Sequence, residues 1–302
     1  MKILVAEYAS AVGLGGTCEL EGRAMLSTLA GSFERAGHEV VYPTSGPTIA
    51  AGKPIPLNRP VEFEQSLQST KVNAGLLIAP DEMQPEFLEI LERSTVNLGC
   101  SPNVARLCAD KLLCTQTLAR AGIPVAEIVT GPEPCEKGCH RYVIKPRFGC
   151  GSEGVRLSSF TQAGSNDIVT RYYEGLHLSA SFIVGERFLP LTINRQLIEF
   201  HGDRISYNGS QVPYNTPRAA EIWKAAQKAT EVLGLCGYAG IDFIVGDLPR
   251  VVDVNARPTT SIIGIAKVMR EEIGELMLRA RFGGMPENVL FRGEFTFSKT
   301  NL

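Results

Sequence analysis

The stretch YAGIDFIVGDLPRVVDVNARPTTS, residues 238–261, admits few conformations. Gly246-Asp247-Leu248-Pro249 is turn chemistry between two apolar, β-branched runs, so the runs pair as an antiparallel hairpin. Closing it with a four-residue turn sets Val245 against Arg250 and Asp242 against Asp253. Asn255 and Arg257 then share the face of Asp253, while Val252, Val254 and Ala256 take the other. Two carboxylates opposed on apolar strands repel, and burial raises their pKa values further. A divalent cation relieves both costs. Two carboxylates and an amide oxygen are hard donors suited to Mg2+ or Mn2+, so Asp242, Asp253 and Asn255 are the candidate metal ligands.

A second stretch points to phosphate. In YVIKPRFGCGSEGV, residues 142–155, Lys145 ends an apolar run and Gly149, Gly151 and Gly154 follow within a short loop. An ammonium beside a flexible, amide-rich loop suits phosphate oxygens. An earlier glycine loop, Gly13-Leu14-Gly15-Gly16, does not make a dinucleotide fingerprint. The third glycine of G-x-G-x-x-G falls on Cys18, and the loop reads as a flexible rim.

Around these stretches the chain alternates. Residues 2–6, EVVY and 72–79 read as strands. A helix carrying Leu20, Met25, Leu26, Leu29 and Phe33 separates the first two, and a helix near 83–93 follows the third. This predicts a small parallel α/β unit over residues 1–100, with a proline-rich connection from Pro43 to Pro60. SPNVARLCADKLLCTQTLARAG predicts one helix over 101–122. Shorter, strand-like segments continue to about 170 as a small β-rich lid. Strands at 178–215, a helix at 217–233, the hairpin and a helix near 260–280 complete the chain. The predicted divisions are 1–100, 101–170 and 171–302.

With 30 basic and 32 acidic side chains in 302 residues, charge favours neither nucleic acid nor an acidic membrane surface. No apolar run approaches the ~20 residues of a membrane span, and the start is too short for a signal peptide. A cytoplasmic, soluble protein is expected. The eight cysteines are read as reduced thiols. Cys135-Glu136-Lys137-Gly138-Cys139-His140 lacks a second ligand pair at zinc-site spacing.

Taken in order, the lysines, the glycine loop and the carboxylate hairpin resemble the ATP-grasp superfamily over most of the chain. The resemblance implies an α/β (α+β) ATP-grasp fold: an N-terminal parallel domain, a small lid and a C-terminal antiparallel-sheet domain. It implies ATP held by Lys111, Lys145, Gly149, Gly151, Ser152 and Gly154, with Arg171, Tyr172 and Tyr173 at the adenine hinge. His177 falls on the ribose position, where the family often has glutamate. It implies Mg2+ or Mn2+, as two ions, on Asp242, Asp253 and Asn255; the middle position is more often glutamate. Arg257 is the implied catalytic residue, steadying an acylphosphate or its oxyanion.

Within the superfamily, EYAS…EGRAML, SPNVARLCADK, INRQ and VNARPTTS are most similar to archaeal ligases that join tyramine to the γ-carboxylate of glutamate in methanofuran biosynthesis. That likeness implies glutamate and tyramine as partners, no nucleic acid or membrane, and admits a homodimer. Arg195 is the candidate grip on the substrate carboxylate. Tyr8, Glu21 and Tyr214 are candidate walls of the acceptor pocket. A ligase of the same design for other amino acids, or a nucleotide-binding regulatory module without turnover, are the alternatives.

Overall fold

Strand β1 (Lys2–Glu7) is apolar at nearly every position because it is covered on both faces. It lies at the centre of a parallel sheet with β2 (Glu39–Thr44), β3 (Lys53–Pro56), β4 (Ala74–Ile78) and β5 (Val96–Asn97), in the order β3-β2-β1-β4-β5. The computed structural model describes residues 1–131, 142–149 and 151–301.

Helix α1 (Tyr8–Val12) follows β1 directly, and α2 (Gly16–Arg35) covers one sheet face with Met25, Leu26, Leu29 and Phe33. Leu20, placed with them by spacing, is 52% exposed. The glycine loop is not a free rim: Gly13, at φ 69°, ends α1 in the left-handed conformation, and Gly15 precedes α2. Helices α3 (Glu62–Ser69) and α4 (Gln84–Glu92) cover the other face. The proline-rich connection contains β3, whose two prolines sit on the sheet edge, where a missing N–H costs least.

The single helix expected over 101–122 is two. Helix α5 (Pro102–Ala109) stops at Asp110, whose extended backbone (φ −85°, ψ 92°) begins α6 (Lys111–Arg120). The Asp110 carboxylate accepts the Leu113 N–H at 3.1 Å and a two-pronged contact from Arg147 at 2.8 and 2.6 Å. Capping overrides the helical periodicity, and Lys111 becomes the first residue of a helix.

The remaining strands form one large sheet: β6 (Tyr142–Pro146), β7 (Arg156–Ser158), β8 (Asp167–Arg171), β9 (Leu176–Val184), β10 (Phe188–His201), β11 (Arg204–Val212), β12 (Gly237–Val245), β13 (Pro249–Asn255) and β14 (Phe295–Ser298). Their order is β13-β12-β9-β10-β11-β7-β6-β8, with β14 also on β11. Helix α7 (Ala219–Leu233) packs with α5 and α6 on one face. The helix expected near 260–280 is α8 (Ile262–Val268) and α9 (Ile273–Phe282), broken at Met269. Both join α2 in a core shared by the two sheets. Among the described residues no helix is long and apolar enough to cross a membrane.

Candidate active site

The hairpin forms, but not in the expected register. Val245 pairs with Pro249 and Ile244 with Arg250, one residue away from the predicted alignment. A bulge then inserts Val252 between the pairs Phe243–Val251 and Asp242–Asp253. The extra residue cancels the tighter turn, so the aspartates face each other as expected. Asn255 opposes Gly240 and shares their face. Val252, assigned by alternation to the other face, instead lines the cleft, because the bulge interrupts the period of two.

Burial, then the adjacent Asp253, pushes Asp242 up to about 7, while a 3.0 Å hydrogen bond from Gln196 pulls it down. A cation between the carboxylates would reverse the dominant causes, so this oxygen-donor set fits a hard divalent ion. Among the described residues there is no cluster of three His, Cys, Asp or Glu side chains with metal-binding geometry. The cysteine cluster at 135–140 lies outside the described residues, as does Cys150.

Two clefts meet at this pair. The first encloses about 980 Å3, including space open to solvent, and is lined by Lys111, Lys145, Gly149, Arg171, Tyr172, Tyr173 and His177. The second is lined by Glu7, Glu21, Tyr207, Asn255 and Arg257. Gly151, Ser152, Gln196, Asp242 and Asp253 line both.

The lysines enter from different elements. Lys111 leads α6, donates to the Gly149 carbonyl and lies 3.9 Å from carboxylate oxygens of both Asp81 and Asp253. Lys145 is the last residue but one of β6 and donates to the Val252 carbonyl at 2.5 Å. Burial pushes the Lys145 ammonium down and Lys111 adds to this, against the pull of Asp253. Gly149, Gly151 and Gly154 all have positive φ, and Ser152 joins them at 63°. Gly154 lines neither cleft among the described contacts; a Cβ there would lie 2.9 Å from Pro146. Arg171, at the end of β8, pairs with Glu127 at 2.7 Å, and the Arg250 guanidinium stacks 4.1 Å from the Tyr173 ring centre. Burial lowers the His177 pKa.

Arg257 reaches the second cleft with its Nε 2.8 Å from Asp81. Arg195 does not reach either cleft. It is exposed and stacks over Tyr214, 5.8 Å from the ring centre. Strand alternation puts Arg195 on the face opposite Asn194 and Gln196, and it is Gln196 that enters the site. Tyr8 is likewise outside, packed on Phe63 and Phe87, whereas Glu21 lines the second cleft. Sequence reasoning also missed Glu7 and Asp81. Both follow a general rule: Glu7 ends β1 and Asp81 follows β4, at the carboxyl edge of a parallel sheet, where ligands gather.

The chain is similar to several known proteins. The chain is 30% identical over 246 residues to the tyramine–L-glutamate ligase of Methanocaldococcus fervens, covering 79% of this chain and 76% of that protein. It is 28% identical over 223 residues to the enzyme of that name from Methanocaldococcus jannaschii, covering 72% and 66%. A solved structure of a protein assigned to the ATP-grasp superfamily, from Archaeoglobus fulgidus, superposes with a TM-score of 0.79 at 25% identity, over 96% of this chain and 90% of that one. The ATP-grasp domain family matches residues 108–261, which run from the end of α5 through both lysines, the glycine loop and the carboxylate hairpin, and the chain therefore belongs to the ATP-grasp family.

Proposed function

We propose that the protein is an ATP-dependent carboxylate–amine ligase that joins tyramine to the γ-carboxylate of glutamate, releasing ADP and phosphate. The observation that carries this reading is that two clefts of different character share one carboxylate pair. A nucleotide in the first would direct its terminal phosphate toward the second, where acidic and basic side chains suit amino-acid chemistry. The named relatives favour glutamate and tyramine.

In this reading Lys111, Lys145 and the glycine loop receive the phosphates, and Arg171 to Tyr173 with His177 border the nucleoside. Asp242, Asp253 and Asn255 would hold Mg2+ or Mn2+, which offsets negative charge on the terminal phosphate. The γ-phosphoryl group passes to the substrate carboxylate. The amine attacks the resulting acylphosphate, and phosphate leaves. Arg257, fixed by Asp81, faces the developing oxyanion. We assign residues 1–100, 101–170 and 171–302 to the pre-ATP-grasp, lid-bearing and metal-bearing units, and the cytoplasm as the compartment.

The test is a screen of amino acids against amines, with ADP release followed and products identified by mass spectrometry. The expected product is the γ-glutamyl amide of tyramine. Hydroxylamine in place of the amine should give the γ-hydroxamate. ADP release that ignores both partner substrates would overturn the ligase reading.

A further inference from the structure

The last strand backs the second cleft without lining it. β14 pairs antiparallel with β11, with Ser298 opposite Gly209. Gly209 has φ 145°, and a Cβ there would lie 2.0 Å from the Phe297 carbonyl oxygen. Glycine is what lets β14 dock so closely. The turn after β14 then carries Lys299 to 3.2 Å from the Glu21 carboxylate and 5.4 Å from the centre of the Tyr207 ring.

Glu21 and Tyr207 both line the cleft. The Glu21 side chain is 12% exposed, and Lys299 is its one ion-pair partner among the described residues. An ionised carboxylate accepts up to about four hydrogen bonds, so Glu21 keeps acceptor capacity toward the cleft. Burial raises its pKa, and Lys299, then Arg257, act against this. The cleft thus pairs a fixed anion on α2 with the Arg257 guanidinium near Asp253 and Asn255. An amino acid that offers an ammonium to Glu21 and its reacting carboxylate to Arg257 matches that pattern.

The chemistry says which ammonium belongs at Glu21. An amine must lose its proton before it attacks an acylphosphate, whereas an ammonium held against a carboxylate is kept protonated. Glu21 therefore suits an ammonium that takes no part in the reaction. We propose that Glu21 is the specificity-determining anchor for the α-ammonium of the amino-acid substrate, and that Lys299 is the residue that positions it. This rests on the ligase reading above.

The test compares glutamate with glutarate, which lacks only the α-ammonium, in hydroxamate formation with saturating ATP. Hydroxylamine replaces the amine, so the donor site alone is read. The wild-type protein should favour glutamate. Glu21→Gln should cut the glutamate-to-glutarate ratio of kcat/KM by at least ~10-fold, as expected for a lost charged hydrogen bond, mainly through KM for glutamate. KM for ATP should stay within about twofold. Lys299→Met should lower the ratio in part, and Lys299→Arg should restore it. If Glu21→Gln melts early, Glu21→Asp, which retracts the carboxylate by one methylene, supplies the same comparison.

A wild-type ratio in folded Glu21→Gln overturns the assignment. A mere clip for the last strand would shift the melting temperature and leave the ratio alone. If the wild type uses another amino acid, that acid and its deaminated analogue decide the role of Glu21. If no amino acid supports turnover, the ligase reading itself falls, and this inference with it.

Discussion

Lys145 donates its ammonium proton to the carbonyl of Val252, the residue that the bulge adds to the β12–β13 ladder. The bulge therefore serves two ends. It restores the opposition of Asp242 and Asp253, and it turns a carbonyl toward the lysine near the end of β6.

Lys145→Met keeps length and apolar bulk while removing the charge. Affinity for a non-hydrolysable ATP analogue, read by calorimetry, should fall at least ~10-fold, the scale of a charge-assisted contact, and turnover should fall further. Unchanged affinity with unchanged turnover contradicts a phosphate role.

Asp253→Asn removes one of two opposed carboxylates and so relieves repulsion on Asp242. The melting temperature without added metal should hold or rise. ATP turnover should drop to background at saturating Mg2+ and Mn2+. Full activity would remove the metal site from this hairpin.

Arg195 and Gln196 are adjacent and face opposite ways, which separates charge from position. Arg195→Ala should leave kcat/KM within about threefold, as for most surface changes. Gln196→Leu loses the hydrogen bond to Asp242 and should lower kcat/KM by ~10-fold or more. Equal loss in both variants would return Arg195 to the substrate site.

His177 sets a pH dependence of known sign. Burial lowers its folded pKa below the ordinary value of 6.5. The neutral ring is the form that folding favours, so its contribution is present above pH 6.5 and is lost as pH falls through the folded value. His177→Gln removes this titration. Between pH 7.5 and pH 5 the wild type should lose more stability than the variant in urea melts. Parallel curves would contradict the direction.

Gly22→Ala probes the join of β1 and α2. A Cβ there would lie 2.3 to 2.6 Å from three carboxylate atoms of Glu7, which is buried and accepts the Ala9 and Ser10 N–H groups at 3.1 and 2.7 Å. Displacing that carboxylate uncaps α1, so a loss of ~2 kcal/mol or more is expected by denaturant unfolding. A neutral outcome would mean that Glu7 has room to move.

The parts of the site that depend on local pairing were legible in the sequence. A turn between two apolar runs announced the hairpin, although Asp242 and Asp253 oppose each other only because the bulge cancels the tighter turn, and glycine spacing marked a loop that borders both clefts. What escaped depends on three-dimensional phase. The bulge at Val252 follows Val251, which is held by β12 on one side and by the distant segment 124–126 on the other, so counting residues from the turn misplaced that side chain. Arg195 failed because an isolated strand does not reveal which alternate face is covered. Asp110 looked like one more helical residue until Arg147, distant in sequence, turned it into a cap. Glu7 and Asp81 belong to the site through topology alone.

The core that joins α2 to α8 and α9 bears on how the chain is made. Arg35 and Ser32 meet Glu272 across 237 and 240 positions of sequence. At a synthesis rate of about 5–20 residues per second, α2 leaves the ribosome roughly 10–50 s before the helix that covers it. During that interval Met25, Leu29 and Phe33 have the first sheet on one side and no late helices on the other. The nascent chain therefore passes through a stage with an uncovered apolar ridge, which is the stage a holdase chaperone would recognise. A chain truncated before α8 would lack both covering helices and keep that ridge exposed.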